Sequence, residues 1–149
     1  MATPRFSLFD SKDPFFKGMQ ATEIVLSEAP VPAKTRHLIR IRISQLNACN
    51  FCLNMHLAEA RKDGETQERL DLLAIWRDAE GFSAAERAAL EWAEALTYPS
   101  TKHSKLLTKL YTKLQLHYDT DAVRSLSYDV AMINAWNRVN IAAHNGMEH

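Results

Sequence analysis

The chain is predicted to be all-α, a single bundle of about six to seven helices. Three observations predict this. Only four glycines and five prolines interrupt 149 residues. Good helix formers (Ala, Leu, Glu, Lys, Arg) fill the stretches between them. No Asn-Gly or similar two-residue turn joins a pair of alternating apolar runs. Residues 1–149 read as one domain, long enough to bury a real core.

The elements follow in order. Asp13-Pro14, an acceptor cap followed by proline at the first helical position, opens a helix to about Glu28. The Ala29-Pro30-Val31-Pro32 stretch must break it. A second helix is expected from about Ala33 to Leu46. There Ile39, Ile41 and Ile43 alternate with Arg40 and Arg42 like a strand, while Ile39, Ile43 and Leu46 fit a helical face. Helix is chosen because nothing nearby offers a pairing strand. Asn47 is read as the cap of a third helix that ends at Gly64. Thr66 to about Trp76 forms a fourth. Ser83-Ala84-Ala85-Glu86 has the spacing of a reciprocal capping box and opens a fifth helix to about Leu96, ended by Tyr98-Pro99-Ser100. A sixth covers Ser104 to about Leu116. The last begins at Asp119 or Thr120 and carries Val123, Leu126, Val130 and Ile133 at spacings of three and four.

Charge excludes some functions. Lys plus Arg and Asp plus Glu each number 18, so the formal net charge is zero. A nucleic-acid binder would show a basic excess gathered on one face. The basic stretch Lys102-His103-Ser104-Lys105, with Lys109 and Lys113, therefore reads as a wet surface. No apolar run approaches the roughly 20 residues of a membrane span, and the N-terminus lacks the apolar block of a secretory signal. The expected compartment is the cytoplasm, where two closely spaced cysteines indicate redox or metal chemistry more than a structural disulfide.

That pair sits in Asn47-Ala48-Cys49-Asn50-Phe51-Cys52-Leu53-Asn54-Met55-His56. Cys49 and Cys52, three apart on a helix, share one face and are close enough to form and break a disulfide. The unpaired N–H groups of a first helical turn favour a thiolate there. His56, four residues after Cys52, lies one turn along the same face and is placed to take the Cys52 proton. Three alternatives stand side by side: redox chemistry, three of four zinc ligands, or plain packing of two small apolar side chains. No phosphate-cradling glycine loop or dinucleotide fingerprint implies a cofactor.

The run from Leu38-Ile39-Arg40-Ile41-Arg42-Ile43-Ser44-Gln45-Leu46-Asn47 through Cys49 and Cys52 to Met55-His56 resembles the core of the carboxymuconolactone decarboxylase superfamily. Within it, the closer likeness is to the AhpD-like alkylhydroperoxidases. Trp92-Ala93-Glu94-Ala95-Leu96-Thr97 and Ile133-Asn134-Ala135-Trp136-Asn137-Arg138 agree. The likeness spans about residues 15 to 142, with the core motif at about 37–64. It implies an AhpD-like helical protomer assembled into homo-trimers or hexamers, and a thiol-dependent peroxidase activity on a small hydroperoxide. It also implies a role for each residue: Cys52 attacks the peroxide, Cys49 resolves the sulfenic acid as a disulfide, and His56 relays protons. A dithiol reductant, protein or small thiol, would restore the pair, and no metal or other cofactor is called for.

One position departs from the pattern. The superfamily usually carries a glutamate twelve residues before the first cysteine, and here His37 occupies that place. If the chain reverses near Asn47, residues 37 and 56 come to similar heights along the bundle at ~1.5 Å per residue. His37 can hydrogen-bond there but brings no negative charge. It stands equally as a relay member or an interface histidine. Phe51, between the cysteines, is apolar where some members carry histidine. The substitution at 37 also motivates an alternative: a non-catalytic redox-sensing or oligomeric interaction protein of the same fold. Lactone decarboxylation is disfavoured, because members with that activity generally lack the cysteine pair. Trp136-Asn137-Arg138 is expected to pack and cap between helices or subunits. Trp76, Trp92, Phe15 and Phe16 are expected as core or interface anchors, and Arg40 and Arg42 as a solvated or salt-bridged helix face, ahead of steering an anionic substrate or holding a subunit contact.

Overall fold

The computed structural model describes residues 3–100 and 104–145. Among the described residues seven α-helices follow one another: α1 (Pro14–Ser27), α2 (Ala33–Leu46), α3 (Asn50–Lys62), α4 (Gln67–Leu72), α5 (Ala84–Thr97), α6 (Ser104–Leu114) and α7 (Thr120–Ala143), with a 3₁₀ turn over Leu73–Ile75 after α4. No strand occurs among the described residues, and no helix is long and apolar enough to cross a membrane. Lys102 and His103 of the basic stretch lie outside the described residues.

Local chemistry sets most boundaries. Asp13 caps α1 by accepting the Phe15 N–H, with Pro14 at the first helical position. Ser83 and Glu86 form the expected capping box on α5, at 3.1 and 2.8 Å. Asp119 caps α7. Two boundaries move. The expected fourth helix to Trp76 divides into α4 and the 3₁₀ turn, and α6 ends at Leu114.

The third correction concerns Asn47. It does not begin α3 but ends α2. Ala48 turns left-handed at φ 55°; its N–H bonds Gln45 O and the Cys49 N–H bonds Ser44 O. That 5→2 and 6→1 pair is the Schellman ending of a helix. Gly64 closes α3 with the same pair of bonds, to Arg61 O and Ala60 O. The cap of α3 thus falls to Cys49.

Helix α2 is the centre of the bundle, packed against α3, α5 and α7. Leu38, Ile39, Ile41 and Ile43 are all fully buried, which explains the strand-like alternation. Ile39 and Ile43 pack with Leu126, Val130 and Ile133 of α7 and with α5. Leu38 and Ile41 pack with Ala60, Leu73, Trp76 and Leu90 in a second core. A helix with apolar contacts on several sides has no single stripe. Phe15, expected as an anchor, is 83% exposed in the protomer.

Candidate functional site

The two cysteines stand at the start of α3. Cys49 is the cap residue, its sulfur accepting the Cys52 N–H at 3.4 Å. The pair is joined as a disulfide with Cα atoms 5.4 Å apart. Both are buried, at 2% and 1% exposure. A partly buried ladder of polar side chains pins the preceding reversal to α7. Asn47 Nδ2 donates to Asn134 Oδ1 and Asn137 Oδ1, and Asn137 Nδ2 donates to Ser44 Oγ. This gives Asn134 and Asn137 the packing-and-capping task expected of their segment.

Cys52 opens onto a cavity of about 310 Å³. Phe9, Phe16, Phe51, Met55 and Trp136 wall it, while His56, Glu59, Glu23 and Arg40 supply its polar part. The rings touch in series: Phe51 on Phe9 at 5.4 Å, Phe9 on Phe16 at 5.9 Å, Phe16 on Trp136 at 6.0 Å. Phe9 arrives from the segment before α1, which Arg5 ties to the end of α7 through Ile141 O and Ala142 O.

His56 is buried one turn beyond Cys52, and its Nδ1 lies 2.8 Å from Glu59 Oε2. A carboxylate there calls for Nδ1–H as donor, leaving Nε2 as the basic nitrogen. The His56 hydrogen bond holds the Glu59 carboxyl below its ordinary range against partial burial, and the charges of His56, Arg40 and His37 act the same way.

His37 does not meet His56. Its Nε2 lies 2.7 Å from Asp63 Oδ2, so the imidazole meets α3 seven residues past His56. The expected match in height fails because α3 starts at Asn50, later than the estimate assumed. His37, Asp63, Glu59 and Lys62 instead line an adjoining polar cavity of about 410 Å³. Glu23, Arg40 and Glu59 belong to both cavities.

Arg40 is fully engaged, as the salt-bridged reading expects. Its Nε reaches Asp129 Oδ1 and its Nη2 reaches Glu23 Oε2, each at 2.7 Å. Burial pulls its pKa down, but the Asp129 and Glu23 carboxylates outweigh that and hold it above its ordinary value. Asp129, itself buried, also takes Arg36 Nε at 2.8 Å. Trp136 Nε1 donates to Glu23 Oε1 at 2.9 Å. Among the described residues no group of three or more His, Cys, Asp or Glu gathers as a metal-ligand set.

Sequence reasoning missed Glu59 and Phe9. Glu59 carried a readable signal, an acid three residues after a histidine on one helix. Phe9 carried none, since its contact with Phe51 is made by a non-helical segment.

Fold and site define an all-helical protein with a disulfide-forming cysteine pair beneath an aromatic-walled cavity. The chain belongs to the carboxymuconolactone decarboxylase family, whose profile matches residues 15–95. It is 36% identical over 141 residues to the uncharacterized protein YdfG of Bacillus subtilis, with 95% of each chain covered. Its fold is the AhpD-like one. It superposes with a TM-score of 0.87, at 25% identity and 99% coverage of each chain, on an Agrobacterium tumefaciens protein of unknown function for which an AhpD-type antioxidant role has been suggested. The debrominase Bmp8 shares the fold at a TM-score of 0.76 and 19% identity, over 89% of this chain and 70% of that one. The fold is thus found in enzymes.

Proposed function

We propose that this protein is a thiol peroxidase of the alkylhydroperoxidase kind, reducing a small organic hydroperoxide through Cys52 and Cys49. The observation that carries the reading is the placement of the disulfide pair. It caps α3, with Cys52 alone of the two lining the cavity that also holds His56. In the reduced protein the Cys52 thiol gives its proton to His56 Nε2 and the thiolate attacks the distal peroxide oxygen. The O–O bond breaks, and the proton returns from His56 to the departing alkoxide, releasing an alcohol and leaving Cys52 as sulfenic acid. Cys49 then attacks that sulfur, water leaves, and the disulfide is restored. A dithiol, protein or small thiol, supplies the next two electrons. The aromatic walls favour an organic hydroperoxide over hydrogen peroxide, because burial of apolar surface contributes about 25 cal/mol per Å². A cytoplasmic homo-oligomer is the setting in which we place this chemistry.

Thiol trapping with intact-mass detection tests the reading. Reduced wild type, Cys49→Ser and Cys52→Ser each receive a small excess of cumene hydroperoxide. Wild type is expected to lose two hydrogens' mass and Cys49→Ser to gain one oxygen, trappable by a sulfenic-acid reagent, while Cys52→Ser gains neither. No reaction of wild type within minutes sinks the peroxidase reading. A disulfide that forms once and turns over with no dithiol would favour the redox-sensing alternative instead.

A further inference from the structure

Glu23, Glu59 and Asp63 line the two cavities and Asp129 pairs with the Arg36 and Arg40 that line them; three of these four carboxylates have other work. Glu23 is held by Arg40 and Trp136, Asp129 by Arg36 and Arg40, and Asp63 by His37. Only Glu59 reaches the ring of His56, at 2.8 Å. The two side chains differ sharply in surroundings. That of His56 is 3% exposed, that of Glu59 49% exposed. Glu59 belongs at once to the aromatic cavity of Cys52 and to the polar cavity of His37, Lys62 and Asp63.

We propose that Glu59 is the positioning residue of the Cys52 reaction: it fixes His56 with Nε2 basic, holds the imidazolium once formed, and lets His56 re-equilibrate with the polar cavity between turnovers. The proposal rests on the thiol-peroxidase reading and adds to it a residue that the likeness does not supply, since the usual acid's place is taken by His37. Three physical arguments support it. A charged imidazole at this depth is costly without a hydrogen-bonded counter-charge, and Glu59 is the group positioned to be one. Being half exposed, Glu59 stays ionised and in contact with water. Being three residues from His56 on one helix, it needs no second element to find its partner. The other charged groups lining the two cavities are Glu23 of α1, Arg36, His37 and Arg40 of α2, and Lys62 and Asp63 at the end of α3; Arg36 and Arg40 pair with Asp129 of α7, Arg40 also with Glu23, and His37 with Asp63.

No net proton is consumed in forming the sulfenic acid: His56 takes one from the Cys52 thiol and returns one to the leaving alkoxide. Glu59 therefore acts by stabilising the charged intermediate state of His56 and by letting it re-equilibrate between turnovers.

The test is the pH dependence of Cys52 alkylation by iodoacetamide, measured on reduced Cys49→Ser protein so that one thiol titrates. Adding Glu59→Gln removes the charge but keeps the shape. The midpoint is expected to rise by about one pH unit, which is a tenfold slower reaction at pH values below it. Glu59→Asp, which keeps the charge, should bring the midpoint most of the way back, and His37→Gln should move it by less than half as much. A midpoint unchanged by Glu59→Gln, or moved equally by His37→Gln, overturns the proposal. A second measurement needs no variant at position 59: the ring nitrogen shifts of His56 in reduced wild type should report the Nδ1–H tautomer in the neutral form, and an Nε2–H tautomer overturns it. Neither readout involves peroxide, so this inference and the peroxidase reading can fail separately.

Discussion

Two arginines two residues apart on α2 build the same device on opposite sides of the helix, with different consequences. Arg40 holds Glu23 of α1, and that glutamate also takes the Trp136 indole N–H. Arg42 holds Glu94 of α5, and that glutamate also takes the Trp76 indole N–H. The bond lengths match, 2.7 Å from each arginine and 2.9 Å from each tryptophan. About 200° of helical rotation separates the two arginines. The Arg40 device lines the cavity of Cys52, with buried Asp129 beneath it. The Arg42 device joins α2 to α5 and the 3₁₀ turn, and Arg77 closes it by pairing with Glu94 and lying over the Trp76 ring. One arrangement of charge and indole thus serves twice, once to shape a reactive pocket and once to hold helices together.

Removing the deepest charge should break the comparison most strongly. Asp129→Ala removes the carboxylate that Arg36 and Arg40 share and leaves Arg40 with Glu23 alone, a loss of about 3–5 kcal/mol by analogy with broken buried pairs. Thermal unfolding should show a fall of roughly 10 °C at about 2–4 °C per kcal/mol. Peroxide turnover should fall with it, because Arg40 loses its anchor in the cavity wall. If turnover survives in the folded variant, the site side is as purely structural as the other.

Glu94→Gln is the matching change on the far side, expected to cost about 1.5–3 kcal/mol for charged hydrogen bonds lost while leaving Cys52 alkylation unchanged. It also carries a pH signature. Burial raises the Glu94 pKa, but the bonds from Trp76, Arg42 and Arg77 outweigh it and hold the carboxyl below its ordinary value. A depressed folded-state pKa contributes stability above the unfolded value, about 4.3, and loses it as pH falls through the folded one. Wild type should therefore lose stability steeply below about pH 4, and Glu94→Gln should flatten that limb in urea titrations at stepped pH. Equal slopes would count against Glu94 as the acid-sensitive group.

The smallest effect concerns the backbone beside the cysteines. Ala48 sits left-handed where Gly64 occupies the equivalent place at the end of α3. Such a conformation costs a residue with a Cβ about 1 kcal/mol. Ala48→Gly should relieve the strain and raise the urea midpoint modestly, offset in part by the added freedom of glycine in the unfolded chain. A lowered midpoint would mean the Ala48 methyl contributes more than the strain removes.

The bundle was legible in the sequence where the signals were local. Asp13-Pro14 and the Ser83–Glu86 box mark helix starts because a cap bonds N–H groups two or three residues away. The Ala33 start of α2 is likewise legible, since the proline pair before it acts nearby. The start of α3 was misread for a physical reason. Asn47 is a good cap in isolation, yet its amide is taken by Asn134 and Asn137, 87 and 90 residues away.

By itself, the sequence determined the helical class, the order of the elements and the placing of Cys52 and His56 one turn apart on one helix, because spacing along a helix is geometry within a single segment. Only the tertiary structure decided what surrounds them. It gave His37 to Asp63, paired Arg40 and Arg42 with carboxylates from different helices, and brought Phe9 over Phe51. Those choices depend on burial and on contacts between distant segments. The relative cost of leaving each charge unpaired is set by the whole packed bundle, not by the residues on either side of it.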